Sequence, residues 1–119
     1  MTTHVHFLVE LTVHDGKFDS FDAVAQEMIA HTRNEPGALC YEWCLSADRK
    51  RCRIVETYSD SDAVLAHING PAVQDGVPKL LQSSTLDRFE VYGDPGPQAT
   101  AMLKGLGAEI FAAWSGFSR

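Results

Sequence analysis

The side chains best suited to chemistry in this sequence cluster around one histidine. His67 follows Ala63 and Val64 by one helical turn and precedes Ile68, a setting that puts it where a helix meets a sheet. An imidazole there can accept a proton from a phenolic hydroxyl near neutral pH, since histidine ordinarily titrates at about 6.5. The competing reading is a partly buried histidine that ties the helix end to the sheet. Tyr58 carries a hydroxyl that could orient a phenol or polarise a carbonyl, and a ring that could stack on an aromatic. Glu56 lies two residues earlier and shares that strand face. A carboxylate turned inward must be paired, neutral or hydrogen-bonded, with His67, Arg53 and Arg88 as candidate partners. Tyr41 and Trp43 alternate on one side of a predicted strand and either wall a planar ring or fill the core. Asn69 could bind a carbonyl or dioxygen, although asparagine before glycine also marks a turn. His31, three residues after Met28, is a further candidate for lining the same pocket, against a solvent-facing alternative. Catalysis is thus expected of His67, Tyr58 and Asn69, and substrate binding of Tyr41, Trp43, Glu56 and His31. His4, His6 and His14 have no metal-ligand spacing, and there is no glycine-rich phosphate loop and no metalloprotease His-Glu-x-x-His pair.

These residues sit in a chain of 119 residues, enough for one domain. A formal net charge of −6 argues against nucleic acid and anionic membranes as partners. No apolar run approaches the ~18 residues of a membrane span, and the first residues, Met-Thr-Thr-His-Val, do not read as a secretion signal. Cys40, Cys44 and Cys52 are expected to be reduced, half-buried residues of a cytoplasmic protein. No metal site is expected from their spacing.

The elements that must position the site can be read from periodicity. Phe7, Val9, Leu11 and Val13 alternate along a first strand, 5–13. Phe21, Val24, Ala25, Met28 and Ile29 recur at three and four, predicting a helix from Phe18 to Asn34. Glu35-Pro36-Gly37 ends it. Strands follow over 38–45 and 52–58, with Leu39, Tyr41, Trp43 and Leu45 on one side of the former. A second helix is expected from about Asp60 to Ile68, a broken helical stretch to Ser83, and a fourth strand over 86–92. The order predicts an α+β, ferredoxin-like split βαβ fold: a four-stranded antiparallel sheet with two main helices on one face. Residues 1–93 form the expected domain. Residues 94–119 form a C-terminal helical tail, in which Ile110, Phe111 and Trp114 make an apolar stripe that docks on the core or on a partner. The bare face of the sheet calls for cover, so a homodimer packed sheet to sheet is expected.

Two segments resemble a known family. Glu35-Pro36-Gly37-Ala38-Leu39-Cys40-Tyr41-Glu42 resembles the turn and strand "EPG-x-L-x-Y" of antibiotic-biosynthesis-monooxygenase domains. Val55-Glu56-Thr57-Tyr58, followed by Asp60, Ala63 and Ala66-His67-Ile68, resembles that family's "E-x-W/Y … A-x-x-x-H" segment. The resemblance spans about residues 4 to 92. It implies a dimeric α+β barrel with a pocket between each sheet and its helices. It also implies a monooxygenase without metal or flavin, acting with dioxygen on a small aromatic such as a quinol or anthrone. Relatives that degrade haem or isomerise small molecules keep two alternatives open: an isomerase or lyase, and a non-catalytic ligand-binding dimer of the same fold.

Overall fold

The computed structural model describes residues 2–119. The central strand β1 (Val5–Val13) is held on both sides, antiparallel to β3 (Arg51–Tyr58) and to β4 (Ser84–Tyr92). β2 (Ala38–Leu45) pairs with β3 at one edge, and a short β5 (Glu109–Phe111) pairs with β4 at the other. The order β2-β3-β1-β4-β5 therefore extends the expected sheet to five strands, and it is mixed rather than wholly antiparallel. β5 runs parallel to β4, which requires a crossover connection. The helix α5 (Pro97–Gly105) supplies it. The helical spacing expected through Ile110, Phe111 and Trp114 is overturned here, because Glu109–Phe111 is a strand, although Ile110 does pack against the core. Gly107, at φ 90°, ends the helical path in a conformation that suits glycine, and the chain beyond it is extended. Trp114 is 93% exposed and Phe117 80%, so neither docks on this chain's core.

The alternation read in β1 is the alternation observed: Val5, Phe7, Val9, Leu11 and Val13 are all buried. α1 (Phe18–Arg33) lays Phe21, Ala25, Met28 and Thr32 on that face, one or two turns apart. α2 (Ser61–Asn69) starts at Asp60, whose carboxylate accepts from the Ala63 N–H at 2.8 Å, and buries Val64, His67 and Ile68. Two short helices, α3 (Pro71–Gln74) and α4 (Gly76–Ser83), lead to β4. Gly76 has a steric reason to be glycine. A Cβ there would stand 2.9 Å from the Met28 sulfur, so the start of α4 can approach α1 only without one.

The core divides into two clusters. One gathers Val5, Phe7, Tyr58, Val64, Ile68 and Val91 with Ala99 and Leu103 of α5. The other gathers Val9, Leu11, Phe21, Met28, Ile54 and Leu80. On the opposite face, Glu10 lies 3.2 Å from Arg53 and 3.9 Å from Arg88 across three strands. A bulge in β2 leaves Leu39 without a partner on β3 and turns it outward, 54% exposed, away from the side shared by Tyr41 and Trp43. Leu45, at the strand's end, is also exposed. Of the cysteines, Cys52 is buried and Cys40 half-buried, but Cys44 is exposed; all three are free thiols.

Candidate active site

A cavity of about 120 Å³ lies at the seam between the two core clusters. Phe7, Ile68 and Leu103 line it from one cluster, and Val9, Met28 and Ile54 from the other. Leu81 and Leu106, both substantially exposed, stand at its rim. The side chains with chemistry among its lining are Tyr41, Glu56 and His67.

Three elements bring those groups together. Glu56 and Tyr58 are inward-facing neighbours on β3, and Tyr41 lies across from Glu56 in the β2–β3 register. His67 projects from the last turn of α2 onto them, with ring centroids 5.6 Å from Tyr41 and 4.9 Å from Tyr58. His67 is 3% exposed, so both ring nitrogens need partners. Nδ1 meets the Glu35 carboxylate at 2.9 Å and 3.1 Å. Nε2 faces Glu56 Oε1 at 3.6 Å. The Tyr58 hydroxyl donates to that same Oε1 at 2.5 Å.

Burial decides the charge on the surrounding groups. Glu56 is 4% exposed, and the loss of water raises its pKa above the usual carboxylate value; His67 and the Tyr58 hydroxyl pull the other way, and Glu35 adds to the rise. Tyr58 and Tyr41 are pushed far up, first by burial and then by the Glu56 carboxylate, so both hydroxyls stay protonated donors. Thr32 Oγ1 and Trp43 Nε1, the two groups beside the Tyr41 hydroxyl, are buried without a well-directed hydrogen-bond partner. The arrangement can accept a proton at Nε2, offer hydroxyl hydrogen bonds to an oxygen atom, and hold an apolar ring in a mostly apolar cleft. Glu35 and Glu56 lie on opposite nitrogens of one imidazole, so they do not converge on a point. Among the described residues no set of three His, Cys, Asp or Glu side chains is placed to hold a metal ion.

Of the residues singled out in the sequence, His67, Glu56 and Tyr41 line the cavity. Tyr58 is fully buried behind Glu56 and does not line it. Trp43 packs edge-on against Phe21 and Tyr41, with centroids 6.0 Å away in each case. Asn69 is exposed at the end of α2, and His31 is exposed on α1 beside a surface depression shared with Glu27 and Lys79. Glu35 was visible in the sequence as the start of a turn and of a family-like motif, but not as a partner of His67. The signal for its position was a pair of spacings: Glu35 to Gly37, and Ala63 to His67.

A profile of the antibiotic biosynthesis monooxygenase family matches residues 4–79. The chain belongs to that family. The monooxygenase-family match covers β1 through the middle of α4 and so contains His67, Glu56, Tyr41 and Glu35. No curated protein sequence matches the chain. Among solved structures, the chain is similar to MupZ from Pseudomonas fluorescens, with a TM-score of 0.79 and 20% identity over 99% of this chain and 96% of that one. It is also similar to SnoaB, a cofactor-independent oxygenase from Streptomyces nogalater, with a TM-score of 0.68 and 20% identity over 81% of this chain and 97% of that one. A conserved protein from Methanosarcina mazei Go1 matches at 0.68 with 18% identity, over 76% of this chain and 92% of that one. These likenesses are of fold; the MupZ match, covering 99% of this chain, takes in β5 and the tail.

Proposed function

We propose that the protein is a cofactor-independent monooxygenase acting on a small aromatic substrate such as a quinol or anthrone. The observation that carries this reading is an apolar cavity with its proton-handling groups, His67, Glu56 and Tyr41, gathered in one part of its wall. His67 Nε2 takes the proton, the Tyr41 hydroxyl holds a substrate oxygen, and Tyr58 steadies Glu56 from behind. The deprotonated ring is electron-rich enough to reduce dioxygen directly. For an anthrone, the ring CH2 becomes a carbonyl; one oxygen atom ends there, and the other leaves as water with the two hydrogens. Water exclusion protects the reactive anion while this happens. SnoaB, of similar fold and described as a cofactor-independent oxygenase, supports the reading. We further propose a cytoplasmic homodimer, supported by three free thiols and by the exposed Trp114 and Phe117.

One observation favours a second reading. Glu56, with its raised pKa, can hold a proton beside an imidazole that can accept one. An acid and a base side by side suit an isomerase that moves a proton between carbons of a carbonyl compound. The two readings separate cleanly in oxygen uptake by purified protein against a panel of quinols, anthrones and phenols. The monooxygenase reading expects protein-dependent uptake that falls by about 100-fold or more in His67→Ala, the upper part of what a general base contributes. Proton exchange into solvent without oxygen uptake would transfer the assignment to the isomerase.

A further inference from the structure

We propose that Glu35 is a positioning residue: held by the Glu35-Pro36-Gly37 turn, it fixes His67 as the Nδ1–H tautomer and so presents a bare Nε2 to the cavity. This rests on the reading of His67 as the base. A neutral imidazole carries a single N–H. A carboxylate that reaches Nδ1 with both oxygens, at 2.9 Å and 3.1 Å, requires that hydrogen on Nδ1. The lone pair then lies on Nε2, the nitrogen on the Glu56 side. Without Glu35 the ring is free to donate from Nε2 to Glu56 instead, and the cavity loses its base. Once the proton is taken, the imidazolium sits directly against the Glu35 carboxylate, which compensates its charge in a largely buried site.

The turn is built to hold this contact. The Glu35 N–H donates to Thr32 O at 2.9 Å, and Glu35 O accepts from the Ala38 N–H at 3.1 Å. The Ser59 N–H donates to Gly37 O at 2.9 Å and ties the turn to the end of β3. Gly37 does not have the positive φ that would reserve its position for glycine. Its lack of a side chain is a matter of space, because a Cβ would collide with the Ala63 Cβ on α2. Ala63 and His67 are four residues apart and share one face of α2. The turn therefore grips that face at two points, Gly37 on Ala63 and Glu35 on His67. The two sequence motifs are the two halves of a single contact.

The test needs no substrate. Nitrogen-15 NMR of histidine-labelled protein, recorded at a mildly alkaline pH above which the His67 ring signals no longer change, distinguishes the two tautomers by the shifts of their ring nitrogens. The His67 signals are assigned by their loss in His67→Gln. Wild type should show the Nδ1–H form. Glu35→Leu should move the population towards Nε2–H by about tenfold or more, and Glu35→Gln, whose side-chain carbonyl still accepts, should retain Nδ1–H. Gly37→Ala should displace the turn and loosen the tautomer, and Gly37→Ala with Ala63→Gly should restore it. With a substrate identified, Glu35→Leu should lower kcat by about 10- to 100-fold, the range for partners behind a functional group, with KM little changed because Glu35 does not line the cavity. An Nε2–H signal in wild type, or an unchanged Nδ1–H signal in Glu35→Leu, overturns the proposal. Failure of every compound to support oxygen uptake leaves the tautomer result intact and counts only against the monooxygenase reading.

Discussion

Glu56 is the residue whose chemistry is most constrained by where it stands. Its carboxyl is faced by His67 from α2, Tyr58 from its own strand, Tyr41 from β2 and Glu35 beyond the imidazole. Because burial raises its pKa, the folded protein binds a proton more tightly here than the unfolded chain does. Stability from this group is therefore fully present below the ordinary carboxylate value of 4.5 and is lost as pH rises through the raised folded value. Glu56→Gln removes that dependence. Thermal unfolding of both proteins across the acid-to-neutral range should show the variant gaining on wild type as pH rises. A difference that stays flat with pH would mean that Glu56 is ionised in the folded state at no cost. His67 and Glu56 were legible in the sequence because each sits in a motif on a strongly periodic element. Glu35 also sits in a motif, but its role was not legible, because its contact with His67 spans 32 residues and depends on how a turn docks.

The elements show the same division between what a local pattern encodes and what packing decides. β1 and α1 announce themselves by unbroken periodicity over 9 and 16 residues. β5 has only three residues, too few for any period to emerge, and its place in the sheet comes from α5 returning the chain along β4. The bulge at Leu39 was equally invisible, since one extra residue shifts the face of everything before it. The α1–α4 approach yields a prediction of its own. Alanine in place of glycine in a helix ordinarily adds about 1 kcal/mol of stability, but at position 76 the new methyl would press on Met28, which lines the cavity. We expect Gly76→Ala to push Met28 into the substrate's space, raising KM by about tenfold, a penalty of ~1.4 kcal/mol. Shortening the offending side chain in Gly76→Ala/Met28→Ala should return KM towards wild type. Unchanged KM in the single variant would show that Met28 relaxes elsewhere.

At the scale of the whole molecule, the residues after β4 divide into a part that builds the core and a part that does not. Ala99 and Leu103 are 2% and 1% exposed, and Leu103 and Leu106 also line the cavity. Truncation after Gly96 should therefore cost more than ~3 kcal/mol, since losing one buried leucine side chain typically costs 2–5 kcal/mol. Truncation after Ala112 removes Trp114 and Phe117, which contribute almost nothing to this chain's interior. That shorter cut should leave the denaturation midpoint unchanged within error. Light scattering then tests the proposed homodimer separately from folding: a monomer before truncation would overturn it, a fall from dimer to monomer on truncation would assign the two aromatics to the partner, and a dimer retained after truncation would assign the contact to the sheet.

β1 is the first strand of the chain and the middle strand of the sheet. Its partner on one side is complete by Tyr58, but on the other it waits for β4, which ends at Tyr92. On the ribosome, Leu8, Glu10 and their neighbours must keep one row of backbone hydrogen-bonding groups unpaired until β4 has been made as far as Tyr92. Pairings of such long sequence separation also slow folding from the denatured state. A nascent chain stalled before Ser84 emerges should therefore be cut readily by protease, and one stalled after Phe111 has cleared the exit tunnel, with all five strands available, should resist. The same delay exposes the early, apolar strand to other nascent chains, so expression yield, rather than the stability of the finished protein, is where weakened β4 variants should first fail.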